Sequence, residues 1–117
     1  MDNQRKKGSD YEQKAAHFLE QNGYRILQTN YRCRLGEIDV IAVDGKYLVY
    51  VEVKYRKSQE YGLPVEAVDY KKQRIISKVA QYYVMSHHLM DRPMRFDVVS
   101  ILGEQIEIYK NAFEFIG

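Results

Sequence analysis

Acidic and basic residues collect at one end of a predicted β-hairpin, the stretch GEIDVIAVDGKYLVYVEVK. It contains Glu37, Asp39, Glu52 and Lys54. Carboxylates that face one another in a sheet repel, and an unpaired carboxylate with little access to water is costly. A divalent cation would remove the penalty, because Mg²⁺ commonly binds one or two carboxylates together with water and phosphate. Lys54 could orient the attacking water or offset charge on a phosphate. These residue types therefore indicate a site that hydrolyses phosphodiester bonds.

The turn between the two strands predicts their register. Asp44 and Gly45 lie between β-rich runs, which is a strong signal for a two-residue hairpin turn. The pairs that follow are Val43–Lys46, Ile41–Leu48, Asp39–Tyr50 and Glu37–Glu52. In this register Asp39 is diagonal to Glu52.

Side chains alternate between the two faces of a strand. One face is predicted to carry the charged end together with apolar residues near the turn: Glu37, Asp39, Ile41, Val43, Leu48, Tyr50, Glu52 and Lys54. The opposite face is apolar: Ile38, Val40, Ala42, Val49, Val51 and Val53. Because both faces are apolar near the turn, we expect a sheet that is covered on both sides.

The other elements follow from helical spacing, caps and turn residues. We predict a helix from Ser9 or Asp10 to about Asn22, a strand over Tyr24–Thr29, a helix over about Tyr70–His88 that is capped by Asp69, and strands over Met94–Leu102 and Gln105–Tyr109. Residues 1–8 are expected to form a flexible arm, residues 30–35 a connection and residues 55–62 a loop. Pro64 is expected to begin a short helical turn. The order is α-β-β-β-α-β-β, an α/β structure with a mixed sheet in a single domain over residues 1–117.

Composition narrows the class of protein. A length of 117 residues and a hydrophobic content of 45% suit one soluble domain. No apolar run approaches the roughly 20 residues that span a bilayer, so we expect no membrane partner. The N-terminus has no apolar segment typical of a signal peptide, and the lone Cys33 suits a reducing compartment. We therefore expect a cytoplasmic protein.

Basic residues interleaved with tyrosines flank the predicted site. The net charge of +2 is nearly neutral, so a phosphate-binding surface must come from clustering. The basic residues expected to bind nucleic acid are Lys72, Arg74, Arg56, Lys57, Arg34 and Lys7. Lys72 and Arg74 lie near a helix N-terminus, where cations oppose the helix dipole. Charge runs of this kind also occur simply as solvated surfaces.

Several candidate residues have an ordinary structural interpretation as well. Glu52 and Lys54 could form a surface salt bridge at a strand end. Glu12 in the first turn of a helix is favourable for the dipole alone, although it could also reach the sheet. Glu37 either contributes to the site or faces solvent. These alternatives stay open from the residues alone.

The motifs GEIDVIA, LVYVEVKYRKS, GLPVEAV, RFDVVSI and NAF together resemble the YraN family of small bacterial proteins. Lys72, four residues after Val68, belongs to the same pattern. That family is similar to the restriction-endonuclease-like PD-(D/E)xK nucleases. The opening RKKGSDYE also resembles archaeal Holliday-junction resolvases. The resemblance covers nearly the whole chain, and it implies a restriction-endonuclease-like mixed β-sheet flanked by helices.

The resemblance also implies roles for individual residues. Asp39 and Glu52 correspond to metal-binding and catalytic positions, Lys54 to the catalytic lysine, and Glu12 to an auxiliary acidic residue from the first helix. Lys72 resembles a position used near the site or on the DNA. The chain departs from the superfamily pattern at Ile38, where a proline is expected before the aspartate.

We therefore expect an endonuclease that depends on Mg²⁺ or Mn²⁺ and acts on DNA, with branched DNA as a candidate substrate. A symmetric homodimer would suit paired cuts on two strands. One alternative is a catalytically inactive nucleic-acid-binding module that keeps the nuclease fold. A further alternative is a protein-interaction scaffold.

Overall fold

The computed structural model describes residues 3–56 and 68–117, with side chains described from Asp10 onward. Over these residues two helices and five strands follow in the predicted order. They are α1 (Asn3–Gln21), β1 (Arg25–Cys33), β2 (Gly36–Asp44), β3 (Tyr47–Arg56), α2 (Tyr70–Ser86), β4 (Met94–Leu102) and β5 (Gln105–Phe113). None of the described helices is long and apolar enough to cross a bilayer.

The five strands form one mixed sheet in the order β1-β2-β3-β4-β5. Strands β3 and β4 are parallel, and the other neighbouring pairs are antiparallel. A parallel pair needs a crossover connection, and α2 lies in the segment that joins β3 to β4. The predicted α/β class with a mixed sheet is confirmed.

Each face of the sheet is covered by one helix, as the two apolar faces of the hairpin predicted. On the α1 side the buried cluster contains Ala15, Leu19, Tyr24, Val40, Ala42, Val49, Val51, Val99 and Ile101. On the α2 side it includes Ile41, Leu48, Tyr50, Ile76, Val79, Ala80, Tyr83, Phe96, Val98 and Phe113. The two helices therefore meet the sheet from opposite sides, and this arrangement lets both contribute to one end of it.

The predicted register of the β2–β3 hairpin is wrong by two residues. Ile41 pairs with Tyr50 and Val43 with Leu48, so the turn residues are Gly45 and Lys46. Gly45 has φ of 61°, and glycine at the first central position is typical of a type II′ hairpin turn. A shift of two residues keeps side chains on their face, but it brings Asp39 level with Glu52 instead of diagonal to it.

One residue of β2 lies on the face opposite to the one predicted. Val40 and Ala42 pack on the α1 side as expected, whereas Ile38 packs with Ile41 in the α2-side cluster. The β2–β3 pairing extends no further than Val40–Val51, and the Asp39 carboxylate accepts a hydrogen bond from the Val53 backbone N–H at 2.8 Å. Strict alternation is lost where the aspartate side chain contacts the neighbouring backbone.

Several predicted boundaries differ from those observed. Helix α1 begins at Asn3 and not at Ser9 or Asp10, since Gly8 disfavours a helix by only about 1 kcal/mol. Strand β1 continues to Cys33 because Tyr31 is buried opposite Ile38, and β5 continues to Phe113 opposite Phe96. Strand β3 continues through Tyr55 and Arg56, which were predicted to begin the loop over residues 55–62, because they pair with Ile101 and Leu102 of β4. The rest of that loop and the predicted turn at Pro64 lie outside the described residues.

The N-terminus of α2 is capped as predicted. The Asp69 carboxylate accepts a hydrogen bond from the Lys72 backbone N–H at 2.8 Å. Further along, α2 packs closely on the beginning of β2. A Cβ atom at Gly36, where φ is 148°, would lie 2.7 Å from Ile75 and 3.3 Å from Val79. Glycine at this position therefore allows the helix to lie directly over the strand that carries Asp39.

Candidate functional site

A cavity of about 210 Å³ lies at the end of the sheet where β2 begins and β3 ends. Both helices contribute to its wall together with these two strands. The lining residues are Tyr11, Glu12, Glu37, Asp39, Glu52, Val53, Tyr55 and Lys72. Three of the four predicted catalytic residues line it, and Lys54 lies next to it through its contact with Glu52.

Asp39 and Glu52 form the buried part of this site. Glu52 is 6% exposed. Burial and the neighbouring Asp39 carboxylate raise the pKa of Glu52 to about 7, against the partial compensation of nearby lysines. Burial also raises the pKa of Asp39, although its hydrogen bond from Val53 acts in the opposite direction. The two carboxylates therefore disfavour each other's ionised form.

Two lysines from different elements surround the Glu52 carboxylate. The Nζ atom of Lys54 lies 3.5 Å from Glu52 Oε1, because the two residues share a face two positions apart on β3. The Nζ atom of Lys72, in the first turn of α2, lies 3.9 Å from the same oxygen. The structure therefore places Lys72 inside the site, whereas the sequence predicted it as a nucleic-acid contact.

Glu12 reaches the site from α1. Partial burial and the neighbouring Asp39 and Glu37 carboxylates raise its pKa to about 7. Glu12 lies in the middle of α1 (Asn3–Gln21) and not in its first turn, so the helix-dipole interpretation is wrong. Its side chain lines the cavity together with Asp39 and Glu52.

Glu37 also lines the cavity but lies at its outer edge. Its side chain is 46% exposed and forms a salt bridge with Arg32, with 3.1 Å between Nε and Oε2. A pair with this exposure contributes little stability. Glu37 thus adds negative charge to the mouth of the cavity while it remains accessible to water.

Comparison with known proteins identifies the family. The profile described as "Uncharacterised protein family UPF0102" matches residues 11–101, most of the chain. The chain belongs to the UPF0102 family. This is the YraN-type family that its motifs resemble, so that prediction is confirmed.

Related UPF0102 proteins match nearly end to end. The relative from Lachnoclostridium phytofermentans is 49% identical over 116 residues, which cover 98% of this chain and 98% of the relative. The relative from Syntrophus aciditrophicus is 52% identical, over 88% of this chain and 84% of the relative. The relative from Clostridium acetobutylicum is 47% identical, over 93% and 95% respectively.

The donor atoms of this UPF0102 site are carboxylate oxygens. Among residues 10–56 and 68–117, no three His, Cys, Asp or Glu side chains already stand in the arrangement of a metal site. Mg²⁺ needs fewer protein ligands, because it commonly takes one or two carboxylates and completes its octahedron with water and phosphate. Asp39 and Glu52, whose charged forms are disfavoured by burial and by each other, fit that requirement.

The other predicted nucleic-acid contacts are distributed around the site. Arg34 is exposed in the β1–β2 turn, and Arg74 is exposed on α2. Neither forms an ion pair within the described part of the chain. Arg56 ends β3. Lys57 and the Lys7 side chain lie outside the described residues. Lys72 is in contact with a predicted catalytic residue, Glu52.

Sequence reasoning missed a buried charge network that is centred on β4. Asp97 is fully buried, and its carboxylate accepts hydrogen bonds from Arg95 at 2.8 and 2.9 Å, from the Tyr24 hydroxyl at 2.6 Å and from the Asn111 backbone N–H at 2.9 Å. Arg95 also donates to Asp44 at 2.7 Å. An aspartate within an apolar strand such as MRFDVVSIL requires such partners when it is buried. The position of Asp97 in that strand is therefore the sequence feature from which the network could have been predicted.

The two tyrosines of the cavity were also not predicted as part of the site. They are Tyr11 from α1 and Tyr55 from β3. Their rings are stacked, with 4.0 Å between centroids and an interplanar angle of 14°. No sequence signal pairs residues that lie 44 positions apart.

Proposed function

We propose that this protein is an endonuclease that depends on a divalent metal ion and hydrolyses DNA phosphodiester bonds. One observation carries the proposal: four carboxylates from α1, β2 and β3 and a lysine from α2 line one cavity, with Lys54 beside them. A cluster of like charges that disfavour each other's ionisation is a poor way to stabilise a fold. It is well suited to binding a cation and, through that cation, a phosphate.

A second buried carboxylate, Asp97 on β4, supports this interpretation by contrast. Asp97 is surrounded by donors, including the guanidinium of Arg95 at 2.8 Å, so its charge is compensated within the fold. The pKa of Glu52, in comparison, is raised by burial and by Asp39. The chain thus compensates Asp97 with its own groups, whereas Lys54 and Lys72 compensate Glu52 only in part, and a bound cation would complete the compensation.

Each residue of the site has a role in this proposal. When bound, Mg²⁺ or Mn²⁺ supplies polarisation of the phosphoryl group and activation of a water molecule. Asp39 and Glu52 would bind the ion, and Glu12 would accept hydrogen bonds from its water ligands. Lys54 would orient the attacking water, and Lys72 would offset negative charge on the phosphate.

The test is DNA cleavage by the purified full-length protein. Supercoiled, single-stranded and four-way-junction DNA are incubated with Mn²⁺, with Mn²⁺ plus EDTA, and with the variants Glu52→Ala and Glu104→Ala. We expect cleavage that EDTA and Glu52→Ala abolish and that Glu104→Ala leaves unchanged, because Glu104 is exposed in the β4–β5 turn. Cleavage that survives EDTA or Glu52→Ala would contradict the mechanism.

A non-catalytic nucleic-acid-binding module is the second candidate. The observation that favours it is that two ammonium groups already lie within 4 Å of Glu52 Oε1, at 3.5 and 3.9 Å. The carboxylate thus has cationic partners without a metal ion. This module would bind DNA with steep salt dependence and would not cut it in the presence of a metal. Charge reversal at Lys72 and Arg74 should then weaken binding, and unchanged affinity in that double variant would argue against this surface.

A homodimer stays a prediction. Paired cuts on two strands would require two sites related by symmetry. Sedimentation of the protein with and without a four-way junction measures this directly, and a monomer in both conditions would contradict it.

A further inference from the structure

The stacked tyrosines form a flat surface at the rim of the carboxylate cavity. Tyr11 comes from α1 and Tyr55 from the end of β3. Both line the cavity with Glu12, Asp39 and Glu52. Rings stacked in parallel at 4.0 Å hold each other's orientation. The site therefore has a preformed aromatic wall beside its charged floor.

Successive side chains of β3 point to opposite faces of the sheet, and this explains why the aromatic and the charged groups lie next to each other but on different faces. Glu52 and Lys54 lie on the α2 face, and Tyr55 lies on the α1 face with Val53. Tyr11 packs partly buried against the α1-side cluster. The ring of Tyr11 is thus held by the core, and the ring of Tyr55 is stacked on the ring of Tyr11.

Tyr55 is more exposed than packing alone requires. Tyr55 is one of the large hydrophobic residues that are exposed to solvent, with a relative exposure of 39%. Within the described residues its ring has one aromatic contact, the one with Tyr11. An exposed aromatic ring supported from behind by a second ring is the arrangement that proteins use to stack a nucleobase.

The size of the cavity indicates where a base would lie. Pockets that enclose a whole small molecule measure roughly 300–1,000 Å³, and this cavity measures about 210 Å³. It can hold a phosphodiester group with water but not the attached nucleoside as well. The base next to a phosphate bound at Asp39 and Glu52 must therefore lie over the rim, which Tyr55 helps to form.

We propose that Tyr55, supported by Tyr11, stacks on an unpaired nucleobase beside the phosphate bound in the cavity, so that the site selects DNA that is single-stranded at this position. The inference rests on the proposed function for the location of the phosphate. A base inside a duplex has both faces covered by its neighbours and offers none to Tyr55. An unpaired base offers a face to the ring.

Fluorescence anisotropy tests the inference with three labelled probes: an oligothymidylate of about 15 nucleotides, an abasic oligomer of the same length, and a hairpin duplex with closed ends. Ca²⁺ replaces Mn²⁺, and gels verify that the probes stay intact. We expect Tyr55→Ala to weaken binding of oligothymidylate about 5- to 150-fold, the range for loss of one stacked base. Binding of the abasic oligomer and of the hairpin duplex should not change.

Two variants serve as controls. Tyr55→Phe keeps the ring and should retain oligothymidylate binding. Tyr82→Ala removes a tyrosine of similar exposure, 40%, from α2 about ten residues beyond Lys72, and should bind all three probes like the wild type. A loss in Tyr55→Ala that is equal for all three probes, or no loss for any of them, would overturn the inference.

The outcome separates this inference from the proposed nuclease. If the wild type cleaves DNA with Mn²⁺ while Tyr55→Ala keeps the same preference between oligothymidylate and hairpin duplex, the stacking role is wrong and the nuclease stands. If Tyr55→Ala shows the expected loss but no metal-dependent cleavage occurs, the nuclease is wrong and the stacking surface stands. Failure of the wild type to bind any probe contradicts both.

Discussion

Replacing Glu52 by glutamine separates the charge of the site from its shape. Glutamine has nearly the same volume as glutamate, so the packing of this residue, which is 6% exposed, is preserved. What changes is the buried negative charge, whose pKa burial and Asp39 raise to about 7. The variant therefore shows how much stability the fold loses by keeping an ionised carboxylate there.

The sign follows from proton linkage. Because the folded protein holds the Glu52 proton more tightly than the unfolded chain, the stabilisation is fully present below about pH 4.5 and is lost as the pH rises through about 7. Each pKa unit corresponds to about 1.4 kcal/mol, so the loss amounts to at most about 3 kcal/mol. Glu52→Gln cannot ionise and should escape this loss.

Urea unfolding at pH 5 and pH 8 measures the effect. Relative to the wild type, Glu52→Gln should gain about 1–3 kcal/mol in the free energy of unfolding between pH 5 and pH 8, with an unchanged m-value. Glu104→Gln, an exposed control, should show no such gain. A difference between wild type and Glu52→Gln that is the same at both pH values would refute the electrostatic reasoning.

Metal addition extends the same experiment. If the ion binds the folded site, Mn²⁺ at about 100 times its dissociation constant stabilises the wild type by about 2.7 kcal/mol. That stabilisation should appear at pH 8, above the pKa of about 7 of Glu52, and should be largely absent at pH 5 and in Glu52→Gln. Equal stabilisation of wild type and variant at pH 8 would show that the ion binds elsewhere.

Two further substitutions test how the fold supports the site. Gly36→Ala should lower the free energy of unfolding by about 1–3 kcal/mol, because its Cβ would lie 2.7 Å from Ile75; urea unfolding that matches the wild type would contradict this. Asp97→Asn should cost about 1–3 kcal/mol, because it removes one of the two carboxylates that pair with the largely buried Arg95 and leaves Asp44 as the other. Thermal unfolding measures this loss, and a melting temperature within about 2 °C of the wild type would show that the network contributes little.

Local patterns in the sequence were sufficient for the elements and for most side-chain directions. Alternation in β3 places Glu52 and Lys54 on one face, as observed. Asp69 predicted the start of α2 and caps it. Such features depend on residues within a few positions of each other, so the local sequence contains the information. The error in the hairpin register changed the partner of Asp39 by two positions, but Asp39 still lies on β2 and lines one cavity with Glu52.

Only the tertiary structure decided which distant residues meet. Packing of α1 and α2 on opposite faces brings Glu12 and Lys72 to the end of the β2–β3 hairpin, and it stacks Tyr11 on Tyr55. The raised pKa values of Glu12 and Glu52 depend on burial and on these long-range neighbours. The sequence by itself determined that a charged cluster ends an apolar hairpin. The distances, the desolvation and the aromatic wall came from packing, because no short-range pattern encodes them.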